Sequence, residues 1–188
     1  MNYVYLLSLA FILPGISQEI SFQTDADWHF EHKLKSVWQK ADATDDGVIT
    51  IADKGGWWHN RAKDRDQDGQ VTLEEFKTPA PLDNAGKSYT NVIYKEATGE
   101  KCLLDIYLPK TGKTKRYPVF DFTPGGGWAA GTKDLNGNMK AVFEAMLAEG
   151  IACVSAAYRL VRTEKDHPVV MADCVTDCTD GLRFIAKY

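Results

Sequence analysis

Residues 119–128 read VFDFTPGGGW, and residues 151–158 read IACVSAAY. The first is an apolar run that ends at Pro124 and opens into three consecutive glycines. The second is apolar without alternation, the pattern of a strand buried on both faces. Between them Met139, Val142, Phe143, Met146 and Leu147 recur at helical spacing, and Gly150 follows as a helix stop. Strand, glycine turn, helix and buried strand make a β-α-β unit, whose parallel strands need a right-handed crossover. Upstream, Tyr89–Tyr94 and Cys102–Leu108 read as two strands joined by a hairpin turn at Thr98-Gly99-Glu100. Downstream, Pro168 precedes a helix with Met171, Val175, Cys178, Leu182 and Ile185 on one face. The expectation over 88–188 is therefore two antiparallel strands followed by β-α-β-α. Asp121 falls inside a strand that should be central, so its carboxyl needs a partner or a raised pKa.

Ahead of this region lies a segment with different chemistry. The chain of 188 residues carries a net charge of −4, yet residues 42–76 alone hold nine acids and four bases. The acidity is concentrated in one stretch, which points to a cation site. Asp64 to Glu75 reads DRDQDGQVTLEE, with acids at loop positions 1, 3 and 5 (Asp64, Asp66, Asp68), Gly69 at 6, Val71 at 8, Thr72 at 9 and Glu75 at 12. A hard cation takes six to eight oxygens, so alternate side chains converge on it while the glycine makes the sharp turn. In this EF-hand pattern Gln70 offers its carbonyl, Thr72 an oxygen, and Glu75 both carboxylate oxygens to Ca2+.

Asp42 to Asp53 (DATDDGVITIAD) repeats the pattern with fewer acids. Its ligand set would be Asp42, Thr44, Asp46, the carbonyl of Val48, Thr50 and Asp53. Thr44 stands where an acid is usual and Asp53 where Glu is usual, so this is the weaker loop. Ile49 matches Val71 as the aliphatic that bridges paired loops. Phe30, Leu34, Val37, Trp38 and Ala41 supply one face of an entering helix. Gly55-Gly56 interrupts the short connector, and Trp57 and Trp58 are more apt for packing than for stacking on carbohydrate. A small all-α pair over 27–77 is expected, followed by a Pro-rich linker over 78–87.

Residues 1–17 carry no charge, and Tyr3–Leu13 is apolar, followed by Pro14, Gly15 and small residues. This has the form of a secretory signal cut near Ser17 and implies export; the run is too short for a stable membrane span. No basic stripe is present, which argues against nucleic acid as a partner. Four cysteines (Cys102, Cys153, Cys174, Cys178) show no metal-binding spacing, and buried free thiols are the expectation. Composition names no protein partner.

Several spaced motifs together carry a resemblance. Leu104-Asp105-Ile106-Tyr107-Leu108-Pro109, the loop ending Gly125-Gly126-Gly127-Trp128, then Tyr158-Arg159-Leu160, then Pro168 with Asp173-Cys174 occur in the order found in the α/β-hydrolase esterase/lipase family related to hormone-sensitive lipase. The match covers about residues 88–188. It implies a serine carboxylesterase acting on a small acyl ester, with Gly126 and Gly127 lending backbone N–H groups to an oxyanion hole. The family's loop opens with histidine where this chain has Pro124. The family's G-x-S-x-G nucleophile turn does not occur in the sequence, and His29, His32, His59 and His167 lack the context of a catalytic base. Ser155 sits within a strand run and makes no elbow. The reading is the front portion of a hydrolase, ending before the nucleophile elbow, with Val119–Thr123 left as a sheet edge. In this form the chain is expected to be inactive. The segment 27–77 resembles compact EF-hand pairs found ahead of exported hydrolases, and dockerins less well. The alternative is a non-catalytic calcium-binding interaction or targeting module on an inert hydrolase-like scaffold.

Overall fold

The structure, a computed structural model, describes residues 21–79, 81–111, 116–135, 137–163 and 168–188, apart from the side chains of 57–59 and 62. The leader expected over 1–17, the packing of Trp57 and Trp58, and His167 lie outside the described residues. The described residues form two compact units, one of Asp25–Pro81 and one of the residues from Leu82 to Tyr188 together with Ser21–Thr24.

In the Asp25–Pro81 unit, the Asp25 carboxylate accepts the Trp28 N–H at 2.8 Å and starts helix α1 (Ala26–His29). A wider helical turn, Phe30–Leu34, leads into α2 (Lys35–Ala41). Strand β1 (Val48–Ile49), helix α3 (Gly55–Asn60), strand β2 (Val71–Thr72) and helix α4 (Leu73–Lys77) follow. The two short strands pair antiparallel, Ile49 opposite Val71, as the repeated pattern anticipates. Phe30, Leu34, Ala41, Ile49, Val71 and Phe76 form the core, with Trp38 and Leu73 against it. Val37, expected on the same face, is 47% exposed. Gly55-Gly56 does not break the connector but opens α3. A Cβ on Gly56 would lie 1.9 Å from the Ala41 carbonyl oxygen, so glycine allows α3 to meet the end of α2.

The second unit contains β3 (Ala85–Ala97), β4 (Glu100–Pro109), β5 (Val119–Phe122), α5 (Gly137–Ala148), β6 (Ala152–Ala156) and α6 (Met171–Ile185). The hairpin between β3 and β4 turns on Thr98 and Gly99, both at positive φ, as two-residue hairpin turns require. Sheet order is β3-β4-β6-β5, with antiparallel neighbours except for the parallel pair β5–β6. This mixed sheet with its helices fits part of an α/β-hydrolase fold, and β5 lies at the sheet edge as expected. β6 is buried along its length. On one face Phe143 of α5 meets the rings of Tyr107, Phe120 and Phe122 edge-on. On the other, Val92, Leu104, Val154 and Ala156 pack with Phe184 and Ile185 of α6.

Two expectations are corrected. The linker expected over 78–87 is shorter, because Leu82 is buried beside Phe143 and β3 begins at Ala85. The expected apolar stripe of α6 faces inward only in part: Cys178 and Ile185 pack against buried residues, but Met171, Val175 and Leu182 are exposed, and Cys174, Asp177 and Gly181 are buried instead. Asp177 turns inward to meet Arg159 and Lys95, and Gly181 lies close to the Tyr94 ring, so a polar network sets the rotation of the helix.

Candidate functional site

Two places concentrate chemistry, one in each unit. The glycine loop follows β5. Gly126 and Gly127 have φ of +151° and +63°, and a Cβ on Gly126 would sit 2.0 Å from the Ala130 carbonyl oxygen. Only glycine fits that position. The N–H groups of Ala129 and Ala130 donate back to the Gly126 carbonyl at 3.3 and 3.2 Å. Among the described residues, no acceptor takes the N–H of Gly126 or Gly127. Two exposed backbone donors are thus left without a protein acceptor.

With Pro124 in place of histidine, the loop is held from β6's exit. Tyr158 Oη donates to the Pro124 carbonyl at 2.8 Å, the Trp128 carbonyl accepts Val161 N–H at 2.8 Å, and the Trp128 and Tyr158 rings meet edge-on at 5.3 Å. Arg159 is locked beside them by a two-pronged bond to Asp177, Nε to Oδ2 at 2.7 Å and Nη2 to Oδ1 at 2.9 Å. Burial pushes the Asp177 carboxyl up, but Arg159 and Lys95 outweigh it and hold the pKa below the usual range.

The sequence reading missed the anchor on the loop's far arm. Lys133 is fully buried, with Nζ 2.8 Å from Asp105 Oδ2; Asp105 Oδ1 accepts Asn91 N–H at 2.7 Å, and the Lys133 carbonyl accepts Ser155 Oγ at 2.6 Å. The available signals were Asp105 inside an apolar strand and Lys133 soon after the glycines, and neither names the other.

Ser155 is buried and spends its hydroxyl on Lys133. The four thiols are free. Burial pushes Cys102 and Cys153 up to about 12 and Cys178 to about 11, so they stay protonated at neutral pH. Burial likewise raises Asp121 to about 6, and its Oδ1 has no hydrogen-bond partner, which meets the expectation for that position.

In the other unit, carboxylate oxygens of Asp64, Asp66 and Asp68 converge within 4.8 Å of one another. Asp64 Oδ2 accepts Gly69 N–H at 3.2 Å, whereas its Oδ1 is buried and unpaired. An orphaned buried oxygen beside two further carboxylates fits a hard cation. Asp66 and Asp68 accept the N–H groups of Asp68 and Gln70. Glu75 lies with the loop backbone rather than in the cluster. Its Oε1 accepts Arg65 N–H at 2.9 Å, and its Oε2 accepts Thr72 N–H and Oγ1 at 3.0 and 2.9 Å. The Arg65 and Thr72 N–H groups hold the carboxyl below its usual range.

The loop 42–53 is arranged differently. Asp42 accepts Asp46 N–H on Oδ1 at 3.2 Å and Gly47 N–H on Oδ2 at 3.0 Å, and Asp46 accepts Val48 N–H. Asp53 accepts Thr44 N–H and Oγ1 on Oδ1, and Thr50 N–H and Oγ1 on Oδ2. The Thr50 N–H, ahead of opposing burial, holds the Asp53 carboxyl below its usual range. Among the described residues the structure gathers no three metal-binding side chains here. No helix among them is long and apolar enough to cross a membrane.

Residues 104–188 match the family model BD-FAE, an α/β-hydrolase esterase family. A curated relative, Esterase LipC of Mycobacterium tuberculosis, is 40% identical over 58 residues, which are 31% of this chain and 14% of that protein. Among solved structures, native esterase 2 of the thermophile Thermogutta terrifontis is 27% identical with a TM-score of 0.43, over 57% of this chain and 35% of that one. A truncated carbohydrate esterase from gut microbiota is 24% identical with a TM-score of 0.45, over 57% and 35%. The chain thus spans about a seventh of the curated relative and about a third of these esterases. The similarity is to esterase-type hydrolases and lies in the C-terminal part of the chain, over residues 104–188.

Proposed function

We propose that this chain carries the oxyanion-hole part of an exported carboxylic-ester hydrolase, joined to an EF-hand-like pair that binds Ca2+. The observation that carries the hydrolase reading is the pair of uncommitted N–H groups at Gly126 and Gly127, in a loop fixed by Tyr158 and Lys133. In the complete reaction a serine hydroxyl attacks an acyl carbonyl, a histidine moves the proton, and these two donors accept the negative charge of the tetrahedral intermediate. Preformed donors cost no reorganisation as charge develops, and losing one is worth about 100- to 1,000-fold in rate. The 188 residues supply the donors without the attacking group. Purified as such, the chain is expected to leave p-nitrophenyl acetate at its background rate. Turnover that resists removal of contaminating serine hydrolases would overturn this assignment. Reading the coding DNA past the Tyr188 codon tests the larger claim, which expects an in-frame G-x-S-x-G followed by Asp and His.

Calcium is assigned to Asp64, Asp66 and Asp68, with Gln70, Thr72 and Glu75 completing the shell when the ion is bound. The support is the convergent carboxylates and the orphaned Asp64 oxygen. The bound ion would rigidify the loop. A second reading, a calcium-dependent interaction module on an inert scaffold, draws on the converging carboxylates of Asp64, Asp66 and Asp68. An immediate stop codon after Tyr188 with a soluble product would select it.

A further inference from the structure

We infer that the loop 42–53 binds no calcium, and that a hydrogen-bonded clasp between Thr44 and Asp53 closes it in the ion's place; this rests on the calcium assignment of loop 64–75. The two loops are the same length and are paired through Ile49 and Val71, so they can be compared position by position. Position 12 is engaged in both: Asp53 and Glu75 each accept bonds from the threonine at position 9. The difference lies at positions 1 and 3. In loop 64–75 the first carboxylate keeps a buried oxygen with no donor, and an acid at position 3 stands beside it. In loop 42–53 both oxygens of the first carboxylate are taken by backbone N–H groups. Position 3 is Thr44, whose hydroxyl donates 3.1 Å to Asp53 Oδ1 while its N–H donates 3.0 Å to the same oxygen.

The acceptor count makes the same point. A carboxylate has about four acceptor sites, and Asp53 takes four bonds from Thr44 and Thr50. Asp42 and Asp53 are both buried, and an entering cation would have to displace these donors, each at the cost of its hydrogen bond. Calcium needs at least six oxygens, and at the two positions that open the shell in its partner this loop offers a carboxylate already bonded on both oxygens and a hydroxyl turned to Asp53. The loop is instead a permanently closed half. It holds Ile49 in place, and therefore holds one rail of the Ile49–Val71 bridge before any ion arrives.

Calorimetric titration of the full chain with calcium chloride tests this. One site per chain is expected, lost in Asp64→Asn and kept in Asp42→Asn. Two sites, or one site that survives Asp64→Asn and vanishes in Asp42→Asn, would overturn the inference. No binding at all would overturn the calcium assignment itself. A measurement on the unaltered chain avoids any folding defect in the variants. In 15N-labelled protein the Gly69 amide resonance should move on addition of one equivalent of calcium while the Gly47 amide stays. Comparable movement of both amides, reached at two equivalents, would sink the clasp.

Discussion

Asp121 bears a carboxyl oxygen shielded from water with no donor to meet it, on a strand otherwise made of Val119, Phe120 and Phe122. Burial raises its pKa from 3.8 to about 6. The folded state therefore holds this proton more tightly than the unfolded chain does. A raised carboxyl makes stability fall as pH rises, beginning near the unfolded value and complete above the folded one. Between about pH 4 and pH 6 this residue works against folding, and at pH 7 the full cost is present. Asp121→Asn should raise the unfolding free energy at pH 7 by about 1–3 kcal/mol and much less at pH 4. Urea denaturation at the two pH values measures it, and an equal change at both would show that ionisation is not the cause. This acid was legible in the sequence because it interrupts an apolar run. The buried thiols nearby were legible on the same ground.

The glycine loop is an element whose shape is set by its neighbours. Lys133 ties its far arm to Asp105 of β4 and to Ser155 of β6, and Tyr158 ties its near arm. Removing one member of a buried ion pair strands the other charge, at a cost of about 3–5 kcal/mol. Lys133→Met should lose about that much in thermal or urea unfolding, and the double variant Lys133→Met/Asp105→Leu should recover most of it. If the double variant is as unstable as the single one, the charge pairing is not what matters there. Local patterns were enough to foresee the hairpin, the buried β6 and α5 with its Gly150 stop, while the edge position of β5 came from the family resemblance. They were not enough for α6, where periodicity placed Met171, Val175 and Leu182 inside. Hydrophobic spacing cannot register that Asp177 has two cations waiting for it, on β3 and after β6. The Lys133–Asp105 pair was invisible for the same reason: long-range charge pairing leaves no periodic trace.

At the scale of the whole molecule, the two units have separate cores and separate chemistry. A ligand that binds only one folded unit stabilises that unit by mass action. Calorimetric scans with excess calcium, compared with scans in chelator, should move the unfolding of Asp25–Pro81 upward and leave that of the sheet unit in place. A shift of both transitions together would show them to be coupled. The acidic loops were plain in the sequence because a ligand pattern is local. The way their unit is attached was not, since it depends on pairing across the chain. Gln23 accepts Ile93 N–H at 2.8 Å and Thr24 bridges Val92, while Leu82 is buried beside Phe143. In chain order the acidic unit is therefore an insertion, entered after Thr24 and left before Leu82, with both flanks held in the sheet unit. A protease nicking it once would leave both fragments gripped by that sheet unit, and the cut chain would travel as a single particle until denatured.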